Sequence, residues 1–335
     1  MASITGSTPV RTFALVVGIE KYDEGPDWDL NGPASDATKF TDWLLAQQIP
    51  AENIRLFLSP LDKNASLLDR PKPSAAPATR ENIYKALTSD LRSKDGDLIY
   101  IFWSGHGIVD TDRTRRLIYA DATHETMQNL DLMSLLVSLT SDYFPAFPRQ
   151  VGFVDTCANY VTDLREAYTL PTEVFPRTSS FLPREQFLLL AAREGEIAEN
   201  ISSRATGLFT EKLLEELAQV SKTQWPPDMA ALAAKLKEIF DELRKKNPTV
   251  QTPSYIQSMG GDDVKLGVVP NKSMPQQPAL PHEDLATRLQ RRTLKQQLAL
   301  LTKQYAAVNQ DLLTTIDPEL QVVLDLKLKS LNKKI

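Results

Sequence analysis

The chain contains one cysteine, Cys157, in the stretch "FVDTCAN", where an apolar run ends. His106 lies 51 residues earlier in "SGHG", flanked by glycines and also just past an apolar run. A thiol with a pKa near ~8.5 is only a few per cent thiolate at neutral pH, so nucleophilic chemistry needs a base beside it. An imidazole can take that proton and later return it to a leaving amine. Glycines beside the histidine let backbone approach a substrate, and the N–H groups of Gly107 and Cys157 could hold an oxyanion. The competing reading is structural, because free cysteine is among the most buried residue types. The position of Cys157 at a strand end, rather than within a strand, weighs against it.

Elements that could bring these groups together are legible in the apolar pattern. "RTFALVVGI" (Arg11–Ile19), "DLIYIFWSG" (Asp97–Gly105), "QVGFVDTC" (150–157) and "EQFLLLAA" (Glu185–Ala192) read as strands buried on both faces, with "IRLFL" (Ile54–Leu58) a shorter one. Helical spacing places Ala37, Phe40, Trp43 and Leu44 on one face. Further helices are predicted from Thr79 to about Arg92, over "TGLFTEKLLEEL" and over Met229–Arg244. Leu61–Thr79, rich in Pro, Ser and Ala, reads as an exposed loop. Strands alternating with helices over 11–266 predict an α/β/α sandwich with a mostly parallel sheet. Working residues of such sheets lie beyond the carboxyl ends of the strands, where both "SGHG" and "DTC" fall.

Composition removes other classes. A net charge of −5 disfavours a phosphate-seeking nucleic-acid binder. A single cysteine allows neither an internal disulfide nor a paired-cysteine zinc site, so no metal is assigned. No apolar stretch reaches the ~18 residues of a membrane span, and "MASITGSTPVRTF" lacks a secretory pattern, so a reducing cytoplasm is the expected compartment. No glycine-rich phosphate loop follows any strand, which sets aside a nucleotide-dependent enzyme.

"ALVVGIEKY…ASDA", "YIFWSGHG" and "VGFVDTC" resemble the caspase-like cysteine peptidases of clan CD, in their prokaryotic caspase and metacaspase branch. "LLLAAREGEIAEN…TGLFTEKLLEEL" and "QTPSY" resemble that fold's small-subunit half. The resemblance implies a peptidase domain over 1–268. It comprises a large-subunit-like part (11–160), a linker loop (158–184) and a small-subunit-like part (185–266). It also implies His106 as general base and acid and Cys157 as nucleophile; in caspases the histidine likewise precedes the cysteine by about 50 residues. Asp155 stands where true caspases commonly have glutamine. With Asp36 of "PASDA" and Ser104 of "WSGHG", it implies an anionic S1 pocket that takes Arg or Lys, although Asp36 alone could instead be a helix N-cap. The sequence departs from the pattern at Asn159, where relatives often have glycine, and in "GPASDA", which lacks the cysteine many carry. His124 and His282 lie in polar stretches and read as surface histidines.

Arg165, Arg177 and Arg184 lie in the 158–184 segment and are candidate processing sites for a basic-specific enzyme, the alternative being a plain surface loop. No cofactor is implied. Calcium dependence stays open, because Asp110, Asp112 and Asp121 form no EF-hand loop. Residues 269–281 read as a Pro/Gln-rich linker. Beyond it, a 4-3-4-3-4 apolar stripe from Leu294 to Leu312 and a restart at Asp317-Pro318 predict a helical hairpin over 282–335. That tail has nine Lys/Arg against six Asp/Glu and resembles effector-associated modules of bacterial conflict systems. The expected partners are protein or peptide substrates with Arg or Lys at P1 and a sensor or regulatory protein bound through 282–335. Self-association of the hairpin is the plain alternative, and nucleic acid is disfavoured. The sequence thus predicts a regulated cysteine endopeptidase of prokaryotic defence or cell death. The alternative is a silent caspase-fold adaptor recruited through its tail.

Overall fold

The structure is a computed structural model that describes residues 7–110, 114–160, 175–179, 183–196, 198, 200–201, 205–220, 225–259 and 264–267. The chain divides into two units, Met1–Pro270 and Asn271–Ile335. The predicted hairpin, the linker at 269–281 and His282 all lie outside the described residues.

Fourteen strands are described: β1 (Thr12–Ile19), β2 (Ile54–Ser59), β3 (Ala75–Pro77), β4 (Leu98–Ser104), β5 (Gly107–Val109), β6 (Arg115–Ile118), β7 (Asn129–Asp131), β8 (Arg149–Asp155), β9 (Asn159–Tyr160), β10 (Glu185–Leu190), β11 (Asn200–Ile201), β12 (Thr206–Gly207), β13 (Ser254–Met259) and β14 (Val264–Gly267). The α-helices are α1 (Pro33–Ala46), α2 (Arg80–Lys85), α3 (Leu132–Thr140), α4 (Leu208–Leu217) and α5 (Met229–Lys246). Eight strands form the central sheet in the order β14-β13-β10-β8-β4-β1-β2-β3. Its six strands from β10 to β3 are parallel, while β13 and β14 are antiparallel additions.

The apolar runs are continuous because both faces of each central strand are covered. Leu15, Val17, Ile99, Ile101 and Trp103 pack on one face with Leu135 and Leu139 of α3. Their alternating neighbours Ala14, Val16, Tyr100, Phe102 and Phe153 pack on the other with Phe40 of α1, Leu213 of α4 and Phe240 of α5. The chain runs outward from β1 through β2 and β3, then crosses back to β4 on β1's other side. That reversal makes the carboxyl ends of β1 and β4 a crevice suited to a ligand.

The Leu61–Thr79 segment differs from the expected loop. It contains a short 3-10 helix and the edge strand β3, which pairs with β2. A second sheet, β7-β6-β5-β9, is absent from the sequence-based expectation. The guanidinium of Arg116 braces it, reaching Asp110 and Asp131 at 2.8 Å each, while Asp131 accepts from the Ser134 N–H to cap α3.

Gly18 is where α1 seats on the sheet: a β-carbon there would lie 2.4 Å from the Pro33 carbonyl oxygen and 2.6 Å from Ala37 Cβ. Gly18→Ala should therefore lift α1 and destabilise the fold by ~1–3 kcal/mol, the usual cost of overpacking. A lowered denaturant midpoint checks this, and an unchanged midpoint would contradict the seating.

Candidate active site

Strands β4 and β8 run side by side in parallel register, with Ser104 opposite Asp155. Each chain then continues two residues, one to His106 and the other to Cys157. Gly107 closes the gap between them: a side chain there would lie 2.4 Å from Thr156 Oγ1 and 2.9 Å from the Cys157 carbonyl oxygen. Immediately beyond, β5 pairs with β9 in parallel, Ile108 opposite Asn159. The backbones carrying the imidazole and the thiol are thus in contact at one rim of the sheet.

His106 is half-buried, and its Nε2 lies 2.8 Å from the Trp28 carbonyl oxygen. An oxygen acceptor there requires Nε2 to carry the proton, which leaves the Nδ1 lone pair free as the base. Burial pushes the imidazole pKa below its ordinary value, opposed by the Trp28 carbonyl. Burial also pushes the Cys157 thiol up. The thiol's own contact is to the Ala198 carbonyl at 3.8 Å. At neutral pH both groups are therefore uncharged, so a thiolate would have to form by proton transfer during the reaction.

The three candidate pocket residues are all buried, Asp36 at 0 %, Ser104 at 3 % and Asp155 at 6 % exposure. The two acids converge on one short segment. Asp36 accepts from the Thr206 hydroxyl and, at 2.8 Å, from the Gly207 N–H. Asp155 accepts from the Thr210 N–H at 3.1 Å and its hydroxyl at 2.6 Å. A β-carbon on Gly207 would lie 2.2 Å from Asp155 Oδ2. Asp36 thus does not cap its own helix, whose N-cap position is Gly32. Asp155 in turn supplies a carboxylate to the first turn of α4, whose N-cap, Gly207, offers no side-chain bond. Burial raises the Asp36 carboxyl to about 7, with a further push from Asp155, and raises Asp155 to about 6.

The candidate processing sites separate. Arg165 lies outside the described residues. Arg177 is exposed, just past Phe175, which is buried and stacks near Tyr84 at 5.5 Å between ring centroids. Arg184 needs correction: it is 3 % exposed, and its guanidinium donates to the carbonyls of Thr140, Ala146 and Ser141 and pairs with Asp142. It also leads directly into β10, so its peptide bond is not presented to a protease. Of the acids considered for calcium, Asp110 pairs with Arg116 and Asp121 accepts from the Arg80 N–H, while Asp112 lies outside the described residues. Among the described residues no group of three His, Cys, Asp or Glu is arranged to hold a metal. Among them, too, no helix is long and apolar enough to cross a membrane.

Sequence reasoning gave no role to Tyr22 or Trp28, both of which touch His106. The usable signal was position alone, since Tyr22 lies three residues past the end of β1 at the same rim. His124 is exposed, as expected of a surface histidine. It stacks edge-on against Trp28 at 5.1 Å, and its Nε2 lies 3.4 Å from Glu24.

The caspase domain family matches residues 11–264, and effector-associated domain 9 matches residues 284–335. A search of curated proteins finds no match. Among solved structures, caspase-1 from Spodoptera frugiperda is 12 % identical with a TM-score of 0.47, covering 76 % of this chain and 88 % of that one. The structure titled pro-sf-caspase-1 is 15 % identical with a TM-score of 0.45 and the same coverage.

The buried acids give a pH test. In the unfolded chain the Asp36 carboxyl ionises near its ordinary value of 3.8, whereas the fold holds it protonated until about 7. At this group the folded state binds more protons across that window, so its contribution to stability falls as pH rises from about 4 to about 7. Asp36→Asn removes the titrating group, so between pH 5 and 8 its stability should gain on the wild type by ~1–3 kcal/mol. Parallel denaturant titrations check this, and a constant difference would refute it.

Proposed function

Because this chain belongs to the caspase domain family, we propose that it is a cysteine endopeptidase that cuts after arginine or lysine, with Cys157 as nucleophile and His106 as base and acid. The observation that carries the reading is the placement of these two residues, each two positions beyond adjacent parallel strands, with Gly107 packed against Thr156 and Cys157. In the proposed reaction Nδ1 of His106 takes the Sγ proton as sulfur bonds to the scissile carbonyl carbon. The carbonyl electron pair moves onto oxygen, toward the N–H groups of Gly107 and Cys157. Collapse of that intermediate breaks the C–N bond, and the imidazolium gives its proton to the departing amine. Water, deprotonated by Nδ1, then attacks the thioester, and the thiol leaves with its proton restored.

Asp155 and Asp36, with Ser104 beside them, form the anionic end of the proposed S1 pocket. A substrate cation would share these carboxylates with Thr206, Gly207 and Thr210, which hold them in the absence of substrate. It would also favour their ionised forms, in a setting where a charge-assisted bond is worth ~1.5–3 kcal/mol. The match to effector-associated domain 9 supports a regulatory partner bound through the tail. On this reading the protein is a cytoplasmic effector of a regulated proteolytic response, such as prokaryotic defence, with processing by cleavage of the 158–184 segment. The adaptor reading predicts the same tail binding without turnover.

Purified protein should hydrolyse Arg-ended peptide amides, and Cys157→Ala or His106→Ala should lower the rate by ~10²-fold or more. Activity that survives Cys157→Ala refutes the mechanism. Asp155→Asn should reduce kcat/KM for Arg substrates by ~10-fold or more while Cys157 still reacts with a small alkylating agent. Unchanged Arg preference in that variant discards the pocket assignment. Intact-mass analysis should find wild-type fragments ending at Arg177 that are absent from Cys157→Ala and from Arg177→Gln. Fragments ending at Arg184 are not expected.

A further inference from the structure

We propose that Tyr22 is a positioning residue for His106, an inference that rests on the peptidase reading above. Tyr22 is 2 % exposed, and its hydroxyl accepts the His106 backbone N–H at 2.7 Å. Its ring centroid lies 4.8 Å from the imidazole at a tilt of 42°. One side chain thus holds both the backbone and one face of the ring of the same residue. The peptide on the other side of His106 is also tied, since its carbonyl accepts from the Ile118 N–H at 3.1 Å. The Trp28 carbonyl on Nε2 supplies the remaining constraint, and the Trp28 ring stands edge-on at 6.1 Å.

The chain admits this hydroxyl only because residue 105 is glycine. Gly105 has φ +155°, and a β-carbon there would lie 2.8 Å from the Tyr22 oxygen. The Gly105 N–H donates to the Asp155 carbonyl at 3.3 Å, so the same turn links Tyr22 to the end of β8. Burial raises the phenol pKa and keeps the hydroxyl neutral. A purely packing role would need the ring alone. The hydroxyl-to-amide bond is the part that bears on catalysis, because a small misplacement of a base is costly in rate.

Tyr22→Phe keeps the ring and removes the bond, which makes it the discriminating variant. Hydrogen exchange should show the His106 amide protected in the wild type and unprotected in Tyr22→Phe, with the Ile118 amide protected in both. With Arg-ended peptide amides, kcat should fall by about tenfold or more, while KM stays within about twofold. Burial lowers the imidazole pKa and the Trp28 carbonyl opposes it, so loosening His106 from both should displace the acid limb of kcat/KM. Wild-type kcat with an unshifted limb in Tyr22→Phe overturns the proposal. So does a wild-type His106 amide that exchanges at the rate of an exposed one, a measurement that stands even if the variant does not fold. A wild type that cuts no peptide but shows the protection, and loses it in Tyr22→Phe, supports the clamp and defeats the peptidase reading alone.

Discussion

The parallel pairing of β4 with β8 is the constraint on which the rest of the site depends. Because Ser104 lies opposite Asp155, both strands leave the sheet at the same height, and His106 and Cys157 each follow two residues beyond, at one rim. A slip of one residue would turn every side chain of the strand to the opposite face. The register is fixed by burial on both sides, with Trp103 facing one core and Phe102 and Phe153 the other. The packing that holds the sheet therefore also sets the site's geometry.

Around that rim, polar groups find partners in segments that are remote in sequence. Asp36 meets Thr206 across 170 residues and Asp155 meets Thr210 across 55. Burying a carboxyl without partners is costly, and here the start of α4 supplies N–H and O–H donors that lessen the cost. Desolvation still prevails, since both carboxyls titrate well above their ordinary range. The acids are thus held by the segment that opens α4, and the proposed substrate cation would enter an already organised cluster.

The sequence made some of this legible and hid the rest for identifiable reasons. β1, β4, β8 and β10 declare themselves because a strand covered on both faces must be apolar throughout. β5, β6, β7 and β9 are two to four residues long, too short to carry a period, and α3, "LMSLLVSLT", is too uniformly apolar to show a helical stripe. His106 and Cys157 could be found because strand ends and residue type are both readable. The Trp28 carbonyl could not, since a backbone group leaves no mark in composition. Arg184 looked like its exposed neighbour Arg177, because nothing local distinguishes a guanidinium on the surface from one buried among three carbonyls.

The anchoring of Arg184 has a wider consequence for chain continuity. β10 lies between β8 and β13, hydrogen-bonded on both edges, with Arg184 fastening its entry to the loop that follows α3. A break anywhere between β9 and Arg184 would sever the polypeptide without severing the sheet. The two pieces would remain one folded body, interlocked through a shared interior.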